Sequence, residues 1–385
     1  LEDTRALVAL VKKKLVHLKR TSTSGYPIKL NKGMSTIGAL LDDEELSTML
    51  VMATCERLLK LLFCTPEEQE AIARDPYRAV LEGFSDPIST FPKDEPHKKS
   101  KVLEKRWRVI CSLGVVDQLV ERALFDPFAA AQKAIFPECP SAMGLGTSPE
   151  LTQLLGDRFT AVDNSTAGHP VCGDIKQWDG SMSVQLLHAS VCHVHNPLMK
   201  PNGSVARYHA AMETWVLLRT NPLYVVGDSL YVKNRVGQMP SGTMGTTPFN
   251  CIARRVAAKV VKSENEINLG DDCIEWNTLS VTELVAAYWQ IGYTLRDAQQ
   301  VVPGNGFEFC SHQYSCVGGE WTCWLLNWPR AAFKLLANKP HLDEFYGTIA
   351  SMANNPLGQR IRVLSAFVKH LMSHAAVAQK DAKEE

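Results

Sequence analysis

The sequence predicts a mixed helix-and-strand (α+β) chain of two or three lobes around a shared cleft. Three observations predict it. At 385 residues the chain is longer than one ordinary domain. Hydrophobic residues make up 45% of it, enough for a sizeable core. Its centre alternates short strand-like runs with helical periodicity, ahead of a helical tail.

Taken in order, a basic start (Lys12, Lys13, Lys14, Lys19, Arg20) leads to a turn at Ser24-Gly25-Tyr26-Pro27. Apolar residues at helical spacing run from Leu46 to Phe63, and Thr65-Pro66-Glu67-Glu68 has the form of a helix cap. A basic segment, Lys93 to Arg108, enters a strand at Val109-Ile110, and Asp117 to Gln132 reads as helix, with Pro127 placed to kink it. Val171 to Ile175 reads as strand and Ser183 to His195 as helix. Leu223 to Val232 reads as a hairpin turning at Gly227-Asp228. Thr247 to Val261 is helical, with Pro248 tolerated in its first turn. Two short strands from Glu266 to Trp276 meet at Gly270-Asp271-Asp272, and a helix covers Val281 to Ile291. The tail from Pro329 is helical and frays at Gln379 to Glu385.

Composition excludes some classes. No stretch is long and apolar enough to span a bilayer, and no secretory leader is visible. Beginning at Leu1, the chain reads as a processed or trimmed product. Eleven cysteines without paired spacing suit free thiols in a reducing compartment better than a disulfide framework. Net charge is zero, but basic runs and acidic pairs (Asp42-Asp43, Asp271-Asp272) are segregated. That mixture is what an enzyme needs if it grips a polyanion and also holds cations.

The chemistry is carried by Asp174, at the end of a strand, and Asp271-Asp272, in a strand–turn–strand. Carboxylates at strand ends are held rigidly enough to place a hard cation, and magnesium prefers their oxygens. Two ions roughly 3.5–4 Å apart stabilise both the attacking and the leaving oxygens of an in-line phosphoryl displacement. A Gly-Asp-Asp triplet alone is ordinarily a solvated turn, so its weight comes from its companions.

Those companions resemble, in order, the motifs of positive-strand RNA virus polymerases. Asp174-Ile175-Lys176-Gln177-Trp178-Asp179 is similar to motif A (D-x4-D). Ser241-Gly242 with Thr246 and Asn250 is similar to motif B (SGxxxTxxxN), and Gly270-Asp271-Asp272 to motif C. Lys93 to Lys101, continuing through Arg106-Trp107-Arg108, resembles motif F, and Ser24-Gly25-Tyr26-Pro27 resembles motif G. Val116 to Arg122 and Phe307-Glu308-Phe309-Cys310-Ser311-His312 (motif E) are similar to the sobemovirus and polerovirus group. The resemblance spans about residues 20 to 315.

The resemblance implies a right-handed fingers–palm–thumb fold with an encircled active site and an antiparallel palm sheet flanked by helices. It divides the chain into fingers (1–124), palm with motif A (125–204), a fingers insertion (205–236), palm with motifs B to E (237–315) and thumb (316–385). Asp174, Ile175, Asp271 and Asp272 would bind two Mg²⁺ ions, for which Mn²⁺ can substitute. Asp179 and Asn250, assisted by Ser241 and Thr246, would sense the ribose 2′-hydroxyl, and Gly242 would give the motif B loop freedom to move. Arg108, Lys101 and Lys93 would roof the incoming triphosphate. Ser24, Gly25, Arg106, Cys310 and Ser311 would touch template or primer RNA. Implied partners are the RNA template and nascent strand, ribonucleoside triphosphates, a small genome-linked protein primer and other viral replication proteins. The implied setting is the host cytoplasm, at membrane-associated replication complexes. One departure stands out: the motif D segment Gly292 to Gln300 lacks the proton-donating lysine of related enzymes and has Arg296.

Two cysteine–histidine groupings also invite a zinc reading: His188, Cys192, His193 and His195, and Cys310, His312, Cys316 and Cys323. The first spreads around its helix and the second overlaps motif E, so packing is the simpler expectation for both. Trp321, Trp324 and Trp328 are expected to pack rather than stack on bases. Two rival functions stay open at this point, a reverse transcriptase and a non-catalytic RNA-binding protein with a degenerate palm. Asp179 with Asn250 opposes the first, and the intact aspartates oppose the second.

Overall fold

The computed structural model describes residues 4–93, 95, 99–105, 107–195, 203–302, 304–337 and 370. Its regular elements, in chain order, are α1 (Thr4–Leu15), α2 (Ile37–Asp42), α3 (Glu44–Leu62), α4 (Pro66–Arg74), α5 (Pro76–Leu81), β1 (Ile88–Pro92), α6 (Lys99–Leu103), β2 (Val109–Ser112) and α7 (Val115–Ala134). There follow α8 (Pro149–Ser165), β3 (His169–Ile175), α9 (Trp178–Ser181), α10 (Val184–His195), α11 (Gly203–Thr220), β4 (Tyr224–Val226), β5 (Ser229–Tyr231) and α12 (Thr246–Val260). The last are β6 (Asn265–Leu269), β7 (Asp272–Asn277), α13 (Val281–Gln290), β8 (Leu295–Gln300), β9 (Phe307–Phe309), β10 (His312–Val317), β11 (Glu320–Leu325) and α14 (Trp328–Ala337). The remainder of the helical tail expected from the sequence lies outside the described residues.

Local chemistry explains the helices that were legible. Asp43 caps α3 by accepting the Leu46 N–H, Glu44 and Glu45 favour its positive end, and Leu50, Leu58, Leu61 and Leu62 fall on the buried face. Thr65 and Glu68 form the reciprocal capping box of α4. Pro127, which is exposed, lies within α7 without interrupting it. Helices α8 and α11 and strand β8 were not anticipated.

The chain divides into two compact units. The first comprises Leu1–Lys93, Lys105–Ile135 and Lys176–Ala257. It holds a four-stranded sheet in the order β2-β1-β4-β5 and a helical core in which Ile37, Leu40, Leu50, Val115 and Leu119 pack together. The second comprises Asp94–Glu104, Phe136–Ile175 and Ala258–Glu385. Its main sheet is antiparallel throughout, in the order β6-β7-β3-β8, and a second sheet runs β11-β10-β9. Phe159 of α8, Ile267, Ile274 and Trp276 of the main sheet and Phe307 and Tyr314 of the second share one buried cluster. Phe307 stacks on Phe159 and Tyr314 with ring centroids 4.4 and 4.9 Å apart. The motif B segment falls in the first unit and motif C in the second.

Candidate active site

Strands β6 and β7 pair from Asn265↔Trp276 to Leu269↔Asp272, leaving Gly270 and Asp271 as a two-residue turn. Gly270 sits at φ +69°, a conformation that glycine adopts without steric cost. On the other side of β7, Gly173 of β3 pairs with Cys273, which brings Asp174 alongside Asp272. A bulge between Cys172 and Asp174 shifts the β3–β8 register, so that Asp174 lies opposite Arg296. Aspartates about a hundred residues apart in sequence thus meet at one end of one sheet.

The electrostatics follow from that convergence. Burial pushes the Asp271 carboxyl up to about 7, and the neighbouring charges of Asp174 and Asp272 push the same way. Asp174 Oδ2 accepts from Arg296 Nε at 2.7 Å and from the same guanidinium's Nη2. Its other oxygen, Oδ1, is buried and accepts no hydrogen bond. The side chain of Ile175 is fully buried, so only its carbonyl can face a ligand. Among the described residues no three His, Cys, Asp or Glu side chains come together as a group that could hold a metal ion. A magnesium site of one or two carboxylates completed by substrate phosphate does not need one. Beside Asp174 and Asp272 opens a cavity of about 430 Å³, also lined by Gln299, Glu308, Ser311 and Gln313.

In the first unit, Asn250 Nδ2 of α12 donates to Asp179 Oδ1 of α9 at 2.7 Å. Burial raises the Asp179 carboxyl, while the Asn250 hydrogen bond and the Arg108 charge oppose that rise. The Met239 N–H adds a bond to the Asp179 carbonyl at 2.7 Å. Ser241 Oγ accepts the Cys111 N–H of β2 at 3.3 Å, and Thr246 Oγ1 bonds back to the Pro240 carbonyl at 3.0 Å. Motifs A and B, more than 60 residues apart in sequence, therefore touch through the pair assigned to the ribose. Arg108 is exposed, and its carbonyl accepts the Lys93 N–H at 2.7 Å.

The model of the family described as viral RNA-dependent RNA polymerase matches residues 8–322. The chain belongs to that family. It is 31% identical over 287 residues to the replicase polyprotein P2AB of Southern bean mosaic virus (isolate Bean/United States/Arkansas), covering 72% of this chain and 28% of the relative. It is 28% identical over 290 residues to protein P1-P2 of Turnip yellows virus (isolate FL-1), covering 73% of this chain and 26% of the relative. The chain thus spans about a quarter to a third of the curated relatives it matches, which bears out the sobemovirus–polerovirus resemblance. Among solved structures, the Sicinivirus 3Dpol RNA-dependent RNA polymerase is similar with a TM-score of 0.63 at 13% identity, covering 96% of this chain and 80% of that one. At that identity the likeness shows the fold.

Several expectations drawn from the sequence are corrected by the geometry. Ser24 is fully buried and its hydroxyl donates to the Met34 carbonyl at 2.5 Å, so its side chain is unavailable to template RNA. Gly25 is buried likewise, at φ +74° and with its Cα pressed on Gly114. Gly242 has no left-handed backbone to explain it. A Cβ there would stand 1.7 Å from the Cys111 carbonyl oxygen, so the glycine serves close packing against β2 rather than freedom to move. Arg296 is bound to Asp174, a pairing invisible until β8 was in register. Cys310 and Ser311 form the β9–β10 turn at φ +51° and +60°. Cys323 is buried against Thr152 whereas Cys316 is exposed, so the second cysteine–histidine set does not converge. In the first set, His188 contacts Glu213 at 3.1 Å, and the side chains of Cys192, His193 and His195 lie outside the described residues. Trp321 packs on Phe159, Phe307 and Gly156. Lys101 lies on α6, and Arg106 is outside the described residues.

Proposed function

We propose that this chain extends RNA on an RNA template by two-metal-ion nucleotidyl transfer from ribonucleoside triphosphates, releasing pyrophosphate. The observation that carries the reading is the meeting of Asp174 with the Asp271-Asp272 turn on one antiparallel ladder. The donor set fits a hard cation: three carboxylates crowd together, one of them holds its proton unusually tightly, and Asp174 Oδ1 is buried without a donor. Asp174, Asp271 and Asp272 would hold two Mg²⁺ or Mn²⁺ ions, with the Ile175 carbonyl beside them. When bound, such ions supply charge stabilisation to the attacking 3′-oxygen and the leaving pyrophosphate.

The chain's own residues do the rest. Arg296 screens Asp174 and, with a guanidinium that stays protonated, orients rather than delivers a proton. Asp179 and Asn250 present a polar pair to the 2′-hydroxyl. A deoxyribonucleotide would leave that pair without a partner, which favours RNA synthesis over reverse transcription. Arg108, Lys93 and Lys101 neutralise the triphosphate and the template phosphates. The Cys310-Ser311 turn borders the cavity beside the aspartates and suits the growing strand's end. A genome-linked protein would serve as primer in vivo.

The direct test is extension of a defined RNA template, with and without primer, in Mg²⁺ and in EDTA. Template-dependent product is expected in Mg²⁺ alone, and its absence from Mg²⁺ reactions with primer would sink the proposal. Asp179→Ala is expected to lower the ribo-over-deoxyribonucleotide incorporation ratio roughly 10²-fold. An unchanged ratio would remove Asp179 from ribose selection. Arg108→Ala is expected to raise the KM for nucleotides roughly ten-fold, through a lost charge-assisted contact. An unaltered KM would take Arg108 out of the triphosphate roof.

A further inference from the structure

Helix α7 buries two carboxylates one turn apart, Asp117 and Glu121. Asp117 is compensated in an ordinary way. It accepts from Arg57, from Arg219 Nη2 at 3.1 Å and from the Asp86 N–H at 3.1 Å. Glu121 is engaged differently. Its Oε1 accepts the Trp215 indole N–H at 3.1 Å, and its Oε2 accepts the backbone N–H of Met244 at 2.6 Å. Met244 lies in the motif B loop, between Ser241, which is bonded to β2, and Thr246 at the start of α12. The loop is therefore strung between two acidic residues: Asp179, whose backbone carbonyl accepts the Met239 N–H and whose carboxylate accepts Asn250 just downstream, and Glu121, whose carboxylate accepts the Met244 N–H.

A carboxylate is the side chain this position calls for, because an ionised Glu is acceptor-only at both oxygens and two N–H donors converge on it. A glutamine at 121 can satisfy one donor and must turn its own N–H₂ toward the other. The charged groups that act on Glu121 are Arg219 of α11, stacked 3.8 Å over the Trp215 ring, and Asp117 on its own helix. Burial pushes the Glu121 carboxyl up to about 7 against the pull of Arg219. That is a substantial cost for a merely space-filling residue, which an apolar side chain would avoid.

We propose that Glu121 is a positioning residue for nucleotide selection: by accepting the Met244 N–H it holds the motif B loop in the conformation that presents Asn250 to Asp179. The inference rests on the ribose-sensing role given above to Asp179 and Asn250.

The test compares Glu121→Gln, Trp215→Phe and the double variants Trp215→Phe/Glu121→Gln and Trp215→Phe/Glu121→Leu with the unmodified chain. The readouts are nucleotide KM, the ribo-over-deoxyribonucleotide ratio and thermal stability, with Asp179→Ala run in parallel. Glu121→Gln is expected to raise KM and lower the ratio, each roughly ten-fold, the scale of one charge-assisted hydrogen bond. Trp215→Phe removes one donor, leaves the Met244 contact and is expected to keep the ratio. On that background Gln retains an acceptor for Met244 and is expected to restore the ratio, whereas Leu has none and is expected to lower it. Rescue of this kind would not follow from packing loss. Should Glu121→Gln fail to fold, the two double variants carry the same comparison. A ratio that stays within two-fold in the Leu double variant, while Asp179→Ala lowers it, overturns the role of Glu121 alone. If Asp179→Ala also leaves the ratio unchanged, the ribose assignment fails and takes this inference with it.

Discussion

Asp271→Asn is expected to abolish nucleotide incorporation and, in EDTA at pH 8, to make the protein more stable. Both effects have one source. Burial and the charges of Asp174 and Asp272 hold the Asp271 carboxyl at about 7, well above its ordinary range. A carboxyl whose folded pKa is raised contributes stability that is complete below its unfolded pKa, near 4. That contribution is lost as pH rises through the folded value. At pH 8 the folded chain therefore carries an ionised group it would rather protonate, and a neutral amide of the same shape removes the repulsion. Discounting for the partial exposure of the turn, the gain is about 1–2 kcal/mol, or about 1–3 °C in Tm for a chain of this length. It should shrink at pH 5, where folded Asp271 holds its proton, and disappear only below about 4, where the unfolded carboxyl is protonated as well. Incorporation should fall by on the order of 10³-fold or more, since several kcal/mol of transition-state charge stabilisation depends on that oxygen. Thermal melts at pH 5 and pH 8 with single-turnover extension check both arms. Near-normal extension by the variant would contradict the assignment of Asp271, and an equal Tm at pH 8 would contradict the crowding of the three carboxylates.

Gly242→Ala has the next largest expected effect, and its cause is contact rather than torsion. The added methyl would lie 1.7 Å from the Cys111 carbonyl oxygen and 2.9 Å from its carbon. Both are backbone atoms of the β1–β2 pairing, in which Cys111 faces Thr90, so no side-chain rotation relieves the overlap. The motif B loop must move by more than about 1 Å, breaking the Ser241–Cys111 hydrogen bond and disturbing Asn250 downstream. A displacement of that size in a positioning element costs roughly 10²-fold in rate, and the overpacking costs about 1–3 kcal/mol of stability. Gly242→Ser should be no better, since it carries the same Cβ. Rate constants normalised to folded protein, together with Tm, decide the matter, and wild-type turnover in Gly242→Ala would show that β2 and the loop do not meet as described.

Much of the site was readable because its local chemistry is self-contained. Gly270-Asp271-Asp272 announces a turn between two strand-like runs, and the pairing Leu269↔Asp272 places it there. The cap of α4 and the Gly227-Asp228 hairpin turn were legible for the same reason: each depends on residues a few positions apart. Other features were hidden because they depend on partners far along the chain. Ser24 and Gly25 read as a turn that would touch template RNA, yet they are buried against Gly114 and Val115. Helix α11 has little apolar periodicity because it buries Trp215, Thr214 and Arg219 together, the arginine tied to Asp117 and stacked on the tryptophan. Strand β8 reads Arg-Asp-Ala-Gln-Gln after Leu295, an edge too polar to be recognised until it pairs with β3.

The sequence by itself determined the family, and it picked out the residues to which the proposed chemistry is assigned: three aspartates, the Asp179–Asn250 pair and the basic segment. Residue type and short-range spacing suffice for that. Only the tertiary structure decided how those groups are held, because register, bulge and burial are properties of strands and helices distant in sequence. It set Arg296 opposite Asp174, pressed Gly242 onto Cys111 and gave the Met244 N–H its acceptor in Glu121.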